Sequence, residues 1–210
     1  MHPSEEILLT FATGRADLPL RILVEGHLES CASCRAAVAE ISAAGGALLT
    51  GLPAEPLPES LWERLRASIQ SLPPKQAPDP ALSGLPLPES ARRELPHLGS
   101  LRWRRLPARG ARIALLARDP HTQSVLLVGY MPARRSFPRH VHLGPEDVLV
   151  LAGGYADQFG TFEAGAYATY APGSEHRPCT EPDEECWTLT RLEAPNLFRG
   201  WRGWLQRISR

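Results

Sequence analysis

Apolar residues recur at intervals of three and four between residues 4 and 70 and at shorter, alternating intervals beyond residue 100. The first texture predicts helices. Ser4, followed by Glu5 and Glu6 and then ILLTFATG, has the form of an N-cap with acids in the first turn, and Gly14 supplies a stop. A second helix is expected from about Leu18 to Glu29, and a third from near Cys31 through RAAVAEISAAGGALL. Gly45-Gly46 weakens that third helix and offers small residues for close approach of another helix. The fourth, PESLWERLRASIQSL, opens on Pro58-Glu59-Ser60 and places Leu57, Leu61, Leu65, Ile69 and Leu72 along one stripe, which could serve as bundle core or as a binding surface. Four short helices predict a bundle of about 70 residues, too small to be robust on burial alone, so a structural metal would matter to it.

From Leu72 to about Pro96 the prolines of PPKQAPDPALSGLPLPESARRELP are expected to prevent regular structure and give a semi-extended linker. Beyond it, RWRRLPARGARIALLARD, SVLLVGYMPA, EDVLVLAGGYADQ, GTFEAGAYATYAPG and CWTLTRLEA are short β-rich runs broken by glycine, proline and aspartate. They predict an antiparallel sandwich or barrel. The expected organisation is an all-α domain over residues 1–72, a proline-rich linker over 73–97 and an all-β domain over 98–210.

Charge narrows the function classes. Twenty-three lysines and arginines balance twenty-three aspartates and glutamates, so no basic surface for direct nucleic-acid binding is expected. No run of apolar residues is long enough to span a membrane, and no signal-type N-terminus is visible, so the expected location is the cytoplasm. Four cysteines do not make a disulfide scaffold. Cys31 and Cys34 have metal-ligand or redox spacing, whereas Cys179 and Cys186, seven apart, read as ordinary buried cysteines.

Two clusters of ligand-type residues stand at opposite ends of the chain. His27-x3-Cys31-x2-Cys34 supplies three ligands within eight residues, and His2 is the other histidine of that half. Thiolates with imidazole point to a closed, structural zinc site. The second cluster, His140-x-His142-x3-Glu146 with the distant His176, has no thiolate. On a strand, His140 and His142 point to one side, and Glu146 returns to them across a short turn. Three imidazoles and a carboxylate suit zinc, manganese, iron or nickel, with room for an open position. Tyr155, Tyr167, Tyr170 and Arg191 could line a cavity there.

HPSEEILLTFATGRADLPLRILVEGHLESCASCRAAVAEI resembles the zinc-containing anti-sigma domain, over roughly residues 2 to 70. That resemblance implies His2, His27, Cys31 and Cys34 as zinc ligands. HVHLGPEDVLVLAG resembles the first cupin motif, ending at Gly153, and GAYATYAPGSEH the second, with Gly165 and Gly173 before His176. It implies a cupin-like barrel with His140, His142, Glu146 and His176 as metal ligands. Three positions depart from the pattern: Arg134 replaces a leading glycine, Ala171 a proline, and Thr180 an asparagine.

A helical zinc domain followed by a short-gap cupin is similar to the ChrR family of anti-sigma factors. The resemblance implies a regulator that sequesters an extracytoplasmic-function sigma factor, as a monomer or in a 1:1 complex. It also implies that the cupin responds to an oxidative signal such as singlet oxygen, with Cys179 and Cys186 nearby. The enzymatic alternative is a metallocupin of dioxygenase or isomerase type with an accessory helical domain.

Overall fold

The computed structural model describes residues 1–72, 79–95, 98, 100–106 and 108–198. Its helices are α1 (Glu5–Ala12), α2 (Leu18–Ser30), α3 (Ala32–Thr50), α4 (Ser60–Gln70) and α5 (Glu89–Glu94). The caps are the expected kind: the Ser4 hydroxyl accepts from Ile7 N at 3.3 Å, and the Asp17 carboxylate accepts from Leu20 N at 2.9 Å. α3 starts one residue after Cys31, which is its N-cap.

The strands are β1 (Arg104–Arg105), β2 (Arg112–Arg118), β3 (Val125–Met131), β4 (His140–His142), β5 (Glu146–Asp157), β6 (Gly160–Glu163), β7 (Tyr167–Tyr170), β8 (Glu175–His176), β9 (Cys186–Leu192) and β10 (Asn196–Phe198). They form two antiparallel sheets. The larger runs β1-β2-β3-β9-β5-β6 with β7 also paired to β5, and the smaller runs β10-β4-β8.

Side-chain alternation sends the large sheet two ways at once. Leu126, Val128, Leu149, Tyr167 and Leu189 are buried in one core with Leu20, Ile22, Leu23 and Val24 of α2. Their neighbours Val148, Val150, Ala168 and Tyr170 belong to a second core inside the barrel. A sheet covered on both faces explains the near-continuous apolar run EDVLVLAGG. The helical and β-sheet regions are therefore both present as expected, but they share one core. Gly26 marks the contact, because a Cβ there would lie 2.8 Å from the Pro88 ring and 2.9 Å from Leu149.

Two expectations need correction. Residues 79–95 were to be part of a linker without regular structure, yet they contain a 3-10 turn (Pro80–Leu82) and α5, with Leu82, Leu85, Leu87 and Ala91 buried in the shared core. The prolines do not prevent these helices; they open them. Pro80 is the first residue of the turn and Pro88 precedes α5, positions where a missing N–H costs nothing. The Glu29 carboxylate completes the arrangement by accepting from Glu89 N (3.1 Å) and Ser90 N (2.8 Å) at the start of α5. Residues 73–78, 96 and 97 of the expected linker, and 199–210 of the expected β domain, lie outside the described residues.

The second correction concerns the bundle. α4 buries none of its residues, and Leu57, Trp62, Leu65, Ile69 and Leu72 are exposed, so the stripe is not bundle core among the described residues. Gly45 and Gly46 likewise meet no neighbouring helix.

The two halves are also tied by charge. Arg191 on β9 is buried and gives two bonds to Asp17, the cap of α2, at 3.1 and 2.7 Å, one to Asp147 on β5 at 3.2 Å and one to Glu193 at 2.8 Å. Burial pushes the Asp17 carboxyl up, but the Arg191 guanidinium, Leu20 N and the Ser124 hydroxyl hold it below its ordinary value. Asp147, with a single longer contact to the arginine, stays above its ordinary value because burial dominates. Replacing Arg191 with methionine leaves both carboxylates buried without their cation. Urea unfolding at pH 7 and fixed metal concentration is expected to show a loss of roughly 3–5 kcal/mol.

Candidate metal centres

The first centre forms where α2 ends and α3 begins. Cys31 caps α3 and Cys34 follows one turn later, which puts both sulfurs on one side. His27, in the last turn of α2, faces them, and the N-terminal segment brings His2 back so that its Nδ1 lies 3.3 Å from Cys31 Sγ and 3.4 Å from Cys34 Sγ. One ligand atom from each of the four lies within 4.8 Å of the others. The chemistry of the donors suits a cation. The Ser33 hydroxyl, 3.2 Å from Cys31 Sγ, is the main influence drawing that thiol down to about 6, while burial and the neighbouring Cys31 push Cys34 up. His27 is buried, its Nδ1 lies 2.9 Å from Gly165 O, and its Nε2 has no hydrogen-bond partner. A carbonyl only accepts, so Nδ1 carries the proton and the lone pair of Nε2 faces the sulfurs.

The second centre sits between the two sheets. β4 carries His140 and His142 on one face, β8 carries His176, and β5 begins with Glu146 across the Leu143–Pro145 turn. All four are buried, with one ligand atom from each within 4.8 Å of the others. Each ring has its tautomer fixed by an acceptor on Nδ1. For His140 that acceptor is Pro138 O at 2.9 Å, and for His176 it is the Asp157 carboxylate at 2.8 Å. For His142 it is Ser174 Oγ at 2.9 Å, whose own proton goes to Ala171 O. All three Nε2 atoms therefore present lone pairs inward, and those of His140 and His176 face each other at 3.0 Å. Two opposed lone pairs repel unless a cation accepts them both, so the residues fit a metal ion.

Burial sets the electrostatics of this site. It pushes His140 down to about 3 and His142 to about 4, lowers His176 against the pull of Asp157, and pushes Glu146 up to about 7. The side chains disfavour any charge of their own, which a divalent cation would offset.

Sequence reasoning singled out all eight of these residues, and the structure gathers them into two sets of four. It missed their supports. The Asp157 side chain is fully buried and takes hydrogen bonds from His176 and from the Tyr170 hydroxyl at 2.8 Å, while Asn196 on β10 donates to Glu146 at 2.5 Å. An acid at the end of a β run and an asparagine after a proline carry no local signal of this use. Of the residues expected to line a cavity, Tyr155 does so; Tyr167, Tyr170 and Arg191 do not. The cavity, about 310 Å³, is walled mainly by apolar side chains such as Ile113, Leu127, Val148 and Phe198, and reaches His140, Glu146 and His176. Cys186 is in its wall, its thiol pushed up to about 12 by burial, and Cys179 Sγ lies 3.1 Å from Ser136 Oγ.

The departures from the cupin pattern are accommodated locally. Arg134 adopts a left-handed backbone, with φ 58°, and its side chain donates to Pro182 O at 2.9 Å. Thr180 donates to Pro132 O at 2.7 Å and accepts from Arg135 N at 3.0 Å.

Residues 91–195 match the family model described as the ChrR Cupin-like domain, a span that starts inside α5. The chain is 31% identical over 201 residues to the anti-sigma-E factor ChrR of Cereibacter sphaeroides, covering 94% of this chain and 91% of that protein. It also resembles a chain in the crystal structure of Rhodobacter sphaeroides SigE in complex with the anti-sigma ChrR. That likeness has a TM-score of 0.70 and 27% identity, over 91% of this chain and 97% of that one.

Metal binding at the second centre should release one proton, from Glu146, because the imidazoles are already neutral near pH 7. Competition titrations with a divalent metal are expected to show affinity rising about tenfold per pH unit below pH 6, about fivefold from pH 6 to 7, and levelling above about pH 8. In Glu146→Gln that slope should vanish and affinity should fall.

Proposed function

The chain belongs to the ChrR family, and from that premise we propose that it is an anti-sigma factor, a regulator rather than an enzyme. Its partner is an extracytoplasmic-function sigma factor, bound as a 1:1 complex in the cytoplasm. No helix among the described residues is long and apolar enough to cross a membrane. The relatives' names supply the class of partner: one is the anti-sigma-E factor ChrR, the other a complex of SigE with the anti-sigma ChrR.

The observation that carries the reading on this chain is α4. Trp62, Leu65 and Ile69 lie exposed on a helix that buries nothing, and Leu48, Leu49 and Leu52 are exposed at the end of α3 and just beyond it. Apolar surface gathered on adjoining segments calls for a partner. A sigma factor held there would have its polymerase-binding surface covered.

His2, His27, Cys31 and Cys34 hold zinc in this reading, since two thiolates and two imidazoles close a tetrahedron. That zinc fixes the turn between α2 and α3 and so the direction in which α3 leaves. His140, His142, Glu146 and His176 hold zinc or another divalent metal (manganese, iron or nickel) and make the barrel the sensing half, responding to an oxidant such as singlet oxygen. Release requires two states of the chain that differ in sigma affinity.

The experiment pairs the full chain with the extracytoplasmic-function sigma factors of its own source, purified singly. One of them should bind, and Leu65→Ser/Ile69→Ser should weaken that complex by at least about 2 kcal/mol. The fold should be unaffected, because both side chains face solvent. Equal binding by the double variant, or binding to none, would defeat the proposal. For the sensing arm, replacing His140, His142 and Glu146 together should abolish induction by oxidant in cells; unchanged induction would remove the barrel from the signal path.

A further inference from the structure

The first metal centre is built from helical residues, but the groups that hold its two histidines come from the barrel. His27 Nδ1 lies 2.9 Å from the carbonyl of Gly165, in the turn between β6 and β7. Two residues further along, Tyr167 N donates at 3.1 Å to the carbonyl of Met1, the residue before His2. The Tyr167 ring stands edge-on to His27 at 5.9 Å, and His27 is edge-on to His2 at 5.5 Å. Segment 165–167 thus grips one imidazole directly and the other through the backbone beside it.

The turn is shaped for this. Gly165 has φ 86°, which a side chain resists, and a Cβ there would come within 3.2 Å of Ser30 Oγ at the end of α2. The opposite end of the same strand reaches the other centre. Tyr167 and Tyr170 are three apart on β7 and so face opposite sides. Tyr170 stacks on His142 with ring centroids 5.2 Å apart, and its hydroxyl donates to the Asp157 carboxylate that orients His176. Three residue steps, about 10 Å of strand, separate the contacts made at one centre from those made at the other.

We infer that Gly165 is a positioning residue of the thiolate centre: its carbonyl fixes the tautomer and direction of His27, and with the Tyr167–Met1 bond it makes that centre a joint product of both halves. The inference rests on the proposal that the centre holds zinc. It adds that the zinc's hold depends on a barrel strand whose other end packs on the second set of ligands.

The test uses zinc-loaded full-length protein and a chromophoric chelator to follow zinc release. Wild type, Gly165→Ala and Gly84→Ala are compared. Gly84 has φ 79° and open space around it, so its variant imposes similar backbone strain away from both centres. Gly165→Ala should release zinc about 10–100-fold faster than wild type, as expected when a ligand loses its outer partner, and Gly84→Ala should not. With cobalt in place of zinc, the visible spectrum should shift for Gly165→Ala alone. Equal release and equal spectra for the two variants would overturn the inference. A wild type that carries no metal at this centre would overturn the zinc proposal with it.

If Gly165→Ala does not fold, wild-type nitrogen-15 spectra decide. His27 should show a proton on Nδ1 that exchanges slowly and couples across the hydrogen bond to the Gly165 carbonyl carbon. A proton on Nε2 instead would also overturn it.

Discussion

An arginine side chain stays charged at any pH this protein meets, so burying Arg191 obliges the fold to bring carboxylates to it. Two of those carboxylates come from parts of the chain that local structure alone would not join. Asp17 is the cap of α2, and Asp147 stands next to Glu146 at the start of β5. Satisfying one guanidinium therefore fixes the near end of α2 on the sheet and steadies the strand that delivers a carboxylate to the barrel. The far end of α2 carries His27, whose ring is held by the Gly165 carbonyl. A 13-residue helix, about 20 Å long, is pinned at both ends by the barrel and presses Ile22, Leu23 and Val24 into the sheet between the two pins.

Local signals revealed the elements of this fold and misjudged how they combine. Ser4, Asp17 and the three-and-four spacing marked the helices because capping and amphipathicity act within a few residues. The alternating runs marked the strands for the same reason. The proline-rich stretch misled because proline excludes a helix interior and not a helix start; Pro80 and Pro88 stand at starts. That Leu82, Leu85 and Leu87 are buried depends on α2 being beside them, which spacing within the stretch does not encode. The stripe on α4 shows the converse: a good amphipathic pattern says that a face wants burial, not what will cover it.

The candidate ligands were legible because metal chemistry demands particular side chains at short spacings, as in HxxxCxxC and HxHxxxE. Their supports were not. Asp157, Asn196 and Ser174 act through one hydrogen bond each to a ligand, and any of several residue types at several positions could fill that role. The carbonyl of Gly165 leaves even less trace, since every residue has a carbonyl. Only the left-handed turn that aims it requires glycine.

Gly26 has a consequence for how such a protein can change over evolutionary time. The notch it leaves, filled by Pro88 and Leu149, matches one helix to one strand and one proline loop. Exchanging the barrel for a different domain would bring new side chains against α2 and leave Leu20, Ile22, Leu23 and Val24 facing a surface not cut for them. In this chain the helical half is fitted to its own barrel. A lineage with an altered barrel would keep the outer face of the large sheet and change the interior, where Val148, Thr188 and Thr190 line the cavity.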